Sequence, residues 1–381
     1  MKCNNMEGLR LSRIMVFASM FFLLINAYSQ SIKVLDKEGR GIPSAIVLSK
    51  EGYLIGTTNL SGYLNNIKGR KEVLVTHMAY KPQLVLVNPS EDNTITMEDV
   101  DYSLPKLENQ SNSYLYAEIY YRSYLYYDGM LYNYISGVMP FGYDLGSRAT
   151  LSDCRTVGKD FLQIISRDYV GEYIMEKKKY PKKFLNMNFL PIMLTIPTLL
   201  EDKDELMSYN LTKKNVSNRQ SVISNRTSPI GVITKGTDQS LFSIDMYALI
   251  KSVCRAKGEN IFEKLLTGES VEMQYVALSD NRQDVITDIR DLKMFSNSYV
   301  VVDRGDKFYF IVEAYVSERN CMHPKEFKEK RRETERVYKA PMSLDESERY
   351  AAKHNIPTLS PMLRHIVNNP HQMKLRNVIY L

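Results

Sequence analysis

Tryptophan is absent from the 381 residues, and cysteine occurs only four times. After Cys3 come Cys154, Cys254 and Cys321, spaced too widely for a metal knuckle and too few for a disulfide framework. A zinc ribbon and a stapled mini-protein are therefore excluded, and buried thiols are the expected state. The chain also lacks a G-x-S-x-G elbow, a Walker loop and a G-x-G-x-x-G turn. His77, His323, His354, His365 and His371 are scattered, with no carboxylate at ligand spacing beside the last two. Acidic pairs such as Asp202/Asp204 and Asp288/Asp291 arise by chance among 44 acidic residues and read as solvated faces. No catalytic residue, metal ligand or cofactor is expected on these grounds.

A strong excess of either charge is missing too. The net charge is +6, with both signs interspersed, which excludes the clustered basic face that nucleic acid requires. Long apolar runs are confined to the N-terminus. There Lys2, Arg10 and Arg13 precede Ile14–Ala27, followed by small residues Ala27 and Ser29 before Gln30. That run falls below the roughly 20 residues a spanning helix needs, so residues 1–29 read as a cleaved signal peptide. The remaining chain is expected to be exported without a transmembrane span, with a net charge of about +4 and a length suited to roughly two domains.

What the sequence has in abundance is tyrosine, 27 residues of it, which suits sheet surfaces where a ring buries and a hydroxyl stays wet. The clearest local signals lie in residues 31–87. Ile32 and Val34, then Ile46–Leu48, Tyr63, Glu72–Thr76 and Gln83–Val87 form short strands. Between them fall the turns Asp36–Gly39, Glu51-Gly52 and Asn59–Gly62, with Gly62 supplying positive φ and Pro43 confined to an edge or the start of a strand. This spacing predicts an all-β sandwich.

The block resembles the carboxypeptidase regulatory-like domain, a transthyretin-like β-sandwich. Val34, Asp36, Gly39, Pro43, Ala45 and Val47 match its first element, with one extra residue around Gly41. Gly56, Thr57, Thr58, Asn59, Gly62 and Tyr63 match the second, and Leu74, Val75, Thr76 and Tyr80 the third, with Ala79 in place of the usual glycine. The resemblance implies a structural or docking module of exported Bacteroidetes-type proteins, with no catalytic residue to carry over. His323-Pro324-Lys325-Glu326 does read H-x-x-E. Too little chain follows it to build a zinc peptidase, and it opens the charge-rich run Lys325–Arg336, expected as a solvated helix.

Beyond the sandwich (residues 30–98) we expect a linker over 99–113, an antiparallel α+β domain over 114–320, and C-terminal helices with an extended tail over 321–381. The fold class is thus mainly β with an α+β second region. Within it, Ile119–Tyr127 and Met130–Val138 flank Asp128-Gly129, the strongest short hairpin signal. A second hairpin joins Ser298–Asp303 to Lys307–Val316 through Arg304-Gly305-Asp306, where turn chemistry accounts for the RGD triplet. Val271–Leu278 and Gly231–Lys235 read as strands, while Asp160–Ile165 and Ile244–Lys257 read as helices. Asn210–Pro229 reads as a long surface loop, and Ser343–His354 as an exposed helix with a capping box. The Tyr120–Arg122 segment loosely resembles uncharacterised Bacteroidetes envelope proteins.

Together these expectations describe a non-catalytic cell-envelope protein, periplasmic or outer-membrane-associated, whose sandwich docks onto an envelope protein partner. One alternative is a glycan- or lipid-binding protein using Tyr120, Tyr124 and Tyr126 as its ligand surface. Another is an unrecognised hydrolase.

Overall fold

The computed structural model describes residues 31–65, 67, 72–88, 92–107, 114–145, 166–168, 190–226, 228–257, 270–280, 289–303, 305–337 and 343–368. It is mostly β, with antiparallel sheets and few helices. The expected helix at Asp160–Ile165, Cys154 and the leader lie outside these residues.

Seven short strands form the N-terminal unit: β1 (Ser31–Leu35), β2 (Ile46–Ser49), β3 (Leu54–Thr57), β4 (Tyr63–Asn65), β5 (Glu72–His77), β6 (Tyr80–Leu86) and β7 (Asn93–Thr96). They make a three-stranded sheet, β4-β1-β7, and a four-stranded sheet, β3-β2-β5-β6. Between the two sheets lie Ile32, Val34, Val47, Val73 and Val75, all fully buried. The residues of the sequence pattern close the turns. Asp36 Oδ1 accepts the main-chain N–H groups of Glu38 and Arg40 at 2.9 and 2.8 Å. Asn59 Oδ1 does the same for Ser61 and Tyr63, at 2.9 and 3.0 Å. The Thr58 hydroxyl accepts from Ala45 N–H and donates to the Ile42 carbonyl, tying the start of β2 to the end of β3. Gly62 has φ +78°, as expected. Strand β7 closes the sandwich near the end of the expected range 30–98 and runs parallel to β1.

A ten-stranded antiparallel sheet follows, in the order β10-β9-β8-β17-β16-β15-β14-β13-β12-β11. Its long members are β8 (Tyr114–Tyr127), β9 (Met130–Asp144), β15 (Ser270–Asp280), β16 (Leu292–Asp303) and β17 (Asp306–Met322). The remainder are β10 (Ser166–Asp168), β11 (Thr212–Asn215), β12 (Gln220–Ser224), β13 (Pro229–Lys235) and β14 (Gln239–Asp245). Both expected hairpins form, with longer strands than the sequence signalled. The stretch expected as a surface loop, Asn210–Pro229, instead carries β11 and β12, whose ladder pairing overrides a polar, weakly periodic sequence.

Six helices are described: α1 (Leu190–Glu201), α2 (Lys203–Ser208), α3 (Met246–Lys257), α4 (Pro324–Val337), α5 (Leu344–Lys353) and α6 (Pro361–Asn368). Helices α1 to α3 cover one face of the large sheet, burying Ile196, Leu200, Leu206, Leu249 and Ile250 against Ile119, Tyr275, Phe295 and Val312. The sandwich and helices α5 and α6 cover the other. There Ile46, Leu48, Leu54 and Leu74 cluster with Tyr124, Tyr126, Ile311 and Ile366. Strands β2 and β5 of the four-stranded sheet are thus buried on both sides, while β6 at its edge is not, and the polar stretch between the units is anchored. The Tyr102 hydroxyl donates to the Val316 carbonyl, and the Tyr315 hydroxyl to the Met78 carbonyl.

The β8–β9 turn locks the units together. Asp128 and Gly129 have φ +45° and +82°, the two left-handed residues of a type I′ turn. The Gly129 carbonyl accepts the Leu54 N–H at 2.6 Å, and a Cβ on Gly129 would lie 2.9 Å from the Leu54 carbonyl oxygen. Gly305, at φ +83°, has open space around it. Gly129→Ala and Gly305→Ala should both incur left-handed strain of about 1–2 kcal/mol. Only the former adds a collision with the sandwich, so urea unfolding should show it to be the more destabilising. Equal losses would mean that the turn does not bear on Leu54.

Candidate functional site

Strand β8 alternates two sets of side chains. Leu115, Ala117, Ile119 and Tyr121 meet the helical layer, and Glu118, Tyr120, Arg122 and Tyr124 meet the side covered by the sandwich and α5. An antiparallel sheet usually leaves one face wet. Here every residue from Leu115 to Tyr126 is buried. The polar set must therefore satisfy itself within the protein, because an unpartnered buried donor or charge costs several kcal/mol in principle, about 1–3 for a neutral group and more for an ion.

Its centre is Arg122, 3 % exposed. The guanidinium Nη2 donates to Glu348 Oε1 of α5 at 3.0 Å, and Nε to the Tyr120 hydroxyl at 3.3 Å. Glu348, 4 % exposed, also accepts from the Tyr120 hydroxyl at 3.2 Å and from the Leu359 N–H at 2.7 Å. Ser347 lies 3.1 Å from the Tyr120 hydroxyl and donates to Ser136 of β9 at 2.7 Å. Tyr350 stacks on Tyr120, and its hydroxyl donates to Glu118 at 3.0 Å. The His354 ring reaches the Ser317 carbonyl at 3.1 Å. On the opposite side, Glu313 of β17 stands directly across the ladder from Arg122. Its carboxylate accepts from the Tyr124 hydroxyl at 3.3 Å. Burial raises the Glu313 carboxyl above its ordinary pKa, against the opposing pull of Arg122 and the Tyr124 hydrogen bond. Burial also raises Tyr120, Tyr124 and Tyr126, which stay protonated.

The three tyrosines singled out from sequence are thus brought together on one face, 0 %, 3 % and 2 % exposed for Tyr120, Tyr124 and Tyr126. They line a closed polar core rather than an open platform. The helix at Ser343 has the expected capping box, Ser343 with Glu346, yet it is not an exposed helix, because Leu344, Ser347, Glu348 and Ala351 are buried. Arg122, Glu313 and Glu348 escaped sequence reasoning. The available signal was a charge at period two within an aromatic strand, and a lone glutamate inside the apolar run of β17. Nothing in the sequence says that α5 lands on them.

His323 and Glu326 form a helix cap: the Glu326 carboxylate accepts the His323 N–H at 3.1 Å, and His323 Nδ1 accepts the Lys325 N–H at 3.3 Å. The helix they open, α4, is anchored by Phe327, buried against Tyr116 and Met322. Among the described residues no three His, Cys, Asp or Glu side chains converge on a point where a metal could bind. Cys254 is half-buried and Cys321 buried. No family model, curated protein or solved structure matches this chain.

A buried ion pair gives little net stability over an apolar pair of the same size, but losing one partner strands the other, at about 3–5 kcal/mol. Glu348→Ala should lower the unfolding free energy by that amount. The double variant Arg122→Met/Glu348→Leu should recover most of it, as read by denaturant titration. A Glu348→Ala change costing under about 1 kcal/mol would show that water, or Glu313 across the ladder, compensates Arg122.

Proposed function

We propose that this chain is an exported protein of the bacterial cell envelope with a binding rather than a chemical role, whose regulatory-like sandwich docks onto an envelope protein partner. The observation that carries this reading is the edge strand β6. Across β2 and β5 one face of the four-stranded sheet is spent on the chain's own large sheet and the other on the sandwich core, so β6, with its edge and its uncovered outer face, is what remains for a partner. At its start β6 is met by residues 96–99, through Lys81 N–H to the Glu98 carbonyl at 2.7 Å and Gln83 Nε2 to the Thr96 carbonyl at 3.0 Å. Toward its end, Leu84 and Leu86 are 57 % and 74 % exposed. Two leucines projecting from one side of an edge strand suit an added strand from a partner, whose main chain supplies affinity and whose apolar side chains supply specificity. The leader Ile14–Ala27 and the resemblance to exported docking modules support the compartment.

The test is in-cell cross-linking of the full chain, followed by purification from fractionated envelope and mass spectrometry. Leu84→Lys/Leu86→Lys should reduce recovery of a stoichiometric partner to background while leaving the melting temperature unchanged. Undiminished recovery by that folded variant would refute docking through β6.

A further inference from the structure

The polar core contains one guanidinium and three carboxyl groups; Glu118 is held by the Tyr116 and Tyr350 hydroxyls, and the other two stand beside the guanidinium. Arg122 is bonded to Glu348 on α5, and Glu313 faces it from the neighbouring strand in direct cross-strand register. All three are almost entirely shut off from water, at 3 %, 4 % and 5 % exposure for Arg122, Glu348 and Glu313. One guanidinium balances one carboxylate. Ionising both would leave a net negative charge in a region of low dielectric, which is costly.

We propose that Arg122 is the shared cation of a two-carboxylate switch, in which the protonation of Glu313 on β17 sets how firmly Glu348 holds α5 to the sheet. With Glu313 protonated, Arg122 belongs to Glu348 and α5 is latched. With Glu313 ionised, Arg122 is drawn toward both carboxylates, its bond to Glu348 weakens, and opening at α5 relieves the excess charge by admitting water. Helix α6 stays in place, because Leu363, Ile366 and Val367 bury into the apolar cluster beneath it. Helix α5 contributes fewer apolar anchors, Leu344 and Ala351, and depends more on its polar ones.

The groups that act on Glu313 are few. From β8 they are Arg122, Tyr124 and Tyr126, and from β17 itself Tyr315, with Ser296 beside it on β16; Tyr120 and Tyr134 of β8 and β9 and Glu348 of α5 surround the far side of Arg122. The phenols stay neutral, so the charged groups beside Glu313 are Arg122 and, beyond it, Glu348, with Glu118 further along the same face of β8. The sign follows from the raised Glu313: the folded state holds the proton more tightly than the unfolded chain, so the stabilisation is complete at low pH and is lost as pH rises through the folded-state titration.

Hydrogen exchange of the purified full chain tests this, read at the Leu359 amide, which donates to Glu348, and at the α5 amides. After correction for intrinsic exchange, protection in the wild type should be full at low pH and fall by about tenfold or more as pH rises through the Glu313 titration, scanned from about pH 4 to pH 9, a factor corresponding to one pKa unit of linkage. Glu313→Gln should hold its protection across that range, and Glu348→Gln should be weakly protected throughout. Tyr124→Phe keeps the carboxyl but removes a hydrogen bond that favours its ionised form, so the midpoint should move to higher pH. It serves equally well if Glu313→Gln does not fold. A flat wild-type profile, a fall that persists in Glu313→Gln, or an unmoved midpoint in Tyr124→Phe would overturn the switch.

Discussion

Strand β8 has no wet face, and the rest of the molecule is arranged around that constraint. Its two neighbours, β9 and β17, satisfy the main chain along nearly its whole length. Its apolar set is met by α1 to α3. Its other set contains a guanidinium, a carboxylate and several phenols, and these need partners as well as cover. The sandwich supplies cover and α5 supplies partners. A strand of this composition at the edge of a sheet, or facing solvent, would have no such requirement, and the C-terminal helices would have nothing to recognise.

Recognition here is polar, whereas adhesion is apolar. Burying Leu363, Ile366 and Val367 of α6 contributes roughly 1.5–3 kcal/mol each by the usual accounting, enough to hold the segment without any ion pair. Those contacts do not define a register, since aliphatic side chains tolerate sliding. The bonds among Arg122, Glu348, Tyr120, Ser347 and Ser136 are directional and leave one seating for α5. The polar core thus selects a geometry that the apolar contacts then stabilise.

The local features were legible from sequence because each is decided within a few residues. The turns at Asp36 and Asn59, the positive φ of Gly62, the Asp128-Gly129 hairpin and the Ser343 capping box all formed as their residue types require. Features decided by distant partners were not legible. Thr212–Asn215 and Gln220–Ser224 are too polar to announce themselves as strands and become so by pairing, with Ile223 and Ile230 reaching the core. The tyrosines of β8 carried the signature of a half-wet sheet. What makes them interior is a second layer on each side, and no pattern within β8 encodes how many layers lie above it. Likewise Glu348 reads as one more charge on an amphipathic helix until Arg122 is placed opposite.

The pairing of β1 with β7 has a consequence for the order in which the molecule can assemble. That parallel pair closes the sandwich within the first part of the chain, so its inner core forms early. Its outer sheet must wait. The cover over Ile46, Leu48, Leu54 and Leu74 begins with β8 and β9 but is complete only once β17 and the C-terminal helices arrive, and contacts such as Tyr102 with Val316 or Tyr120 with Ser347 span 214 and 227 residues. Closing such distant contacts is slow, and until it happens the nascent protein presents a finished domain with one partly bare aliphatic sheet. A chain stopped short of Leu344 would lack the cover that Leu363, Ile366 and Val367 add and would keep part of that surface open, as a substrate for holding chaperones and for proteolytic clearance.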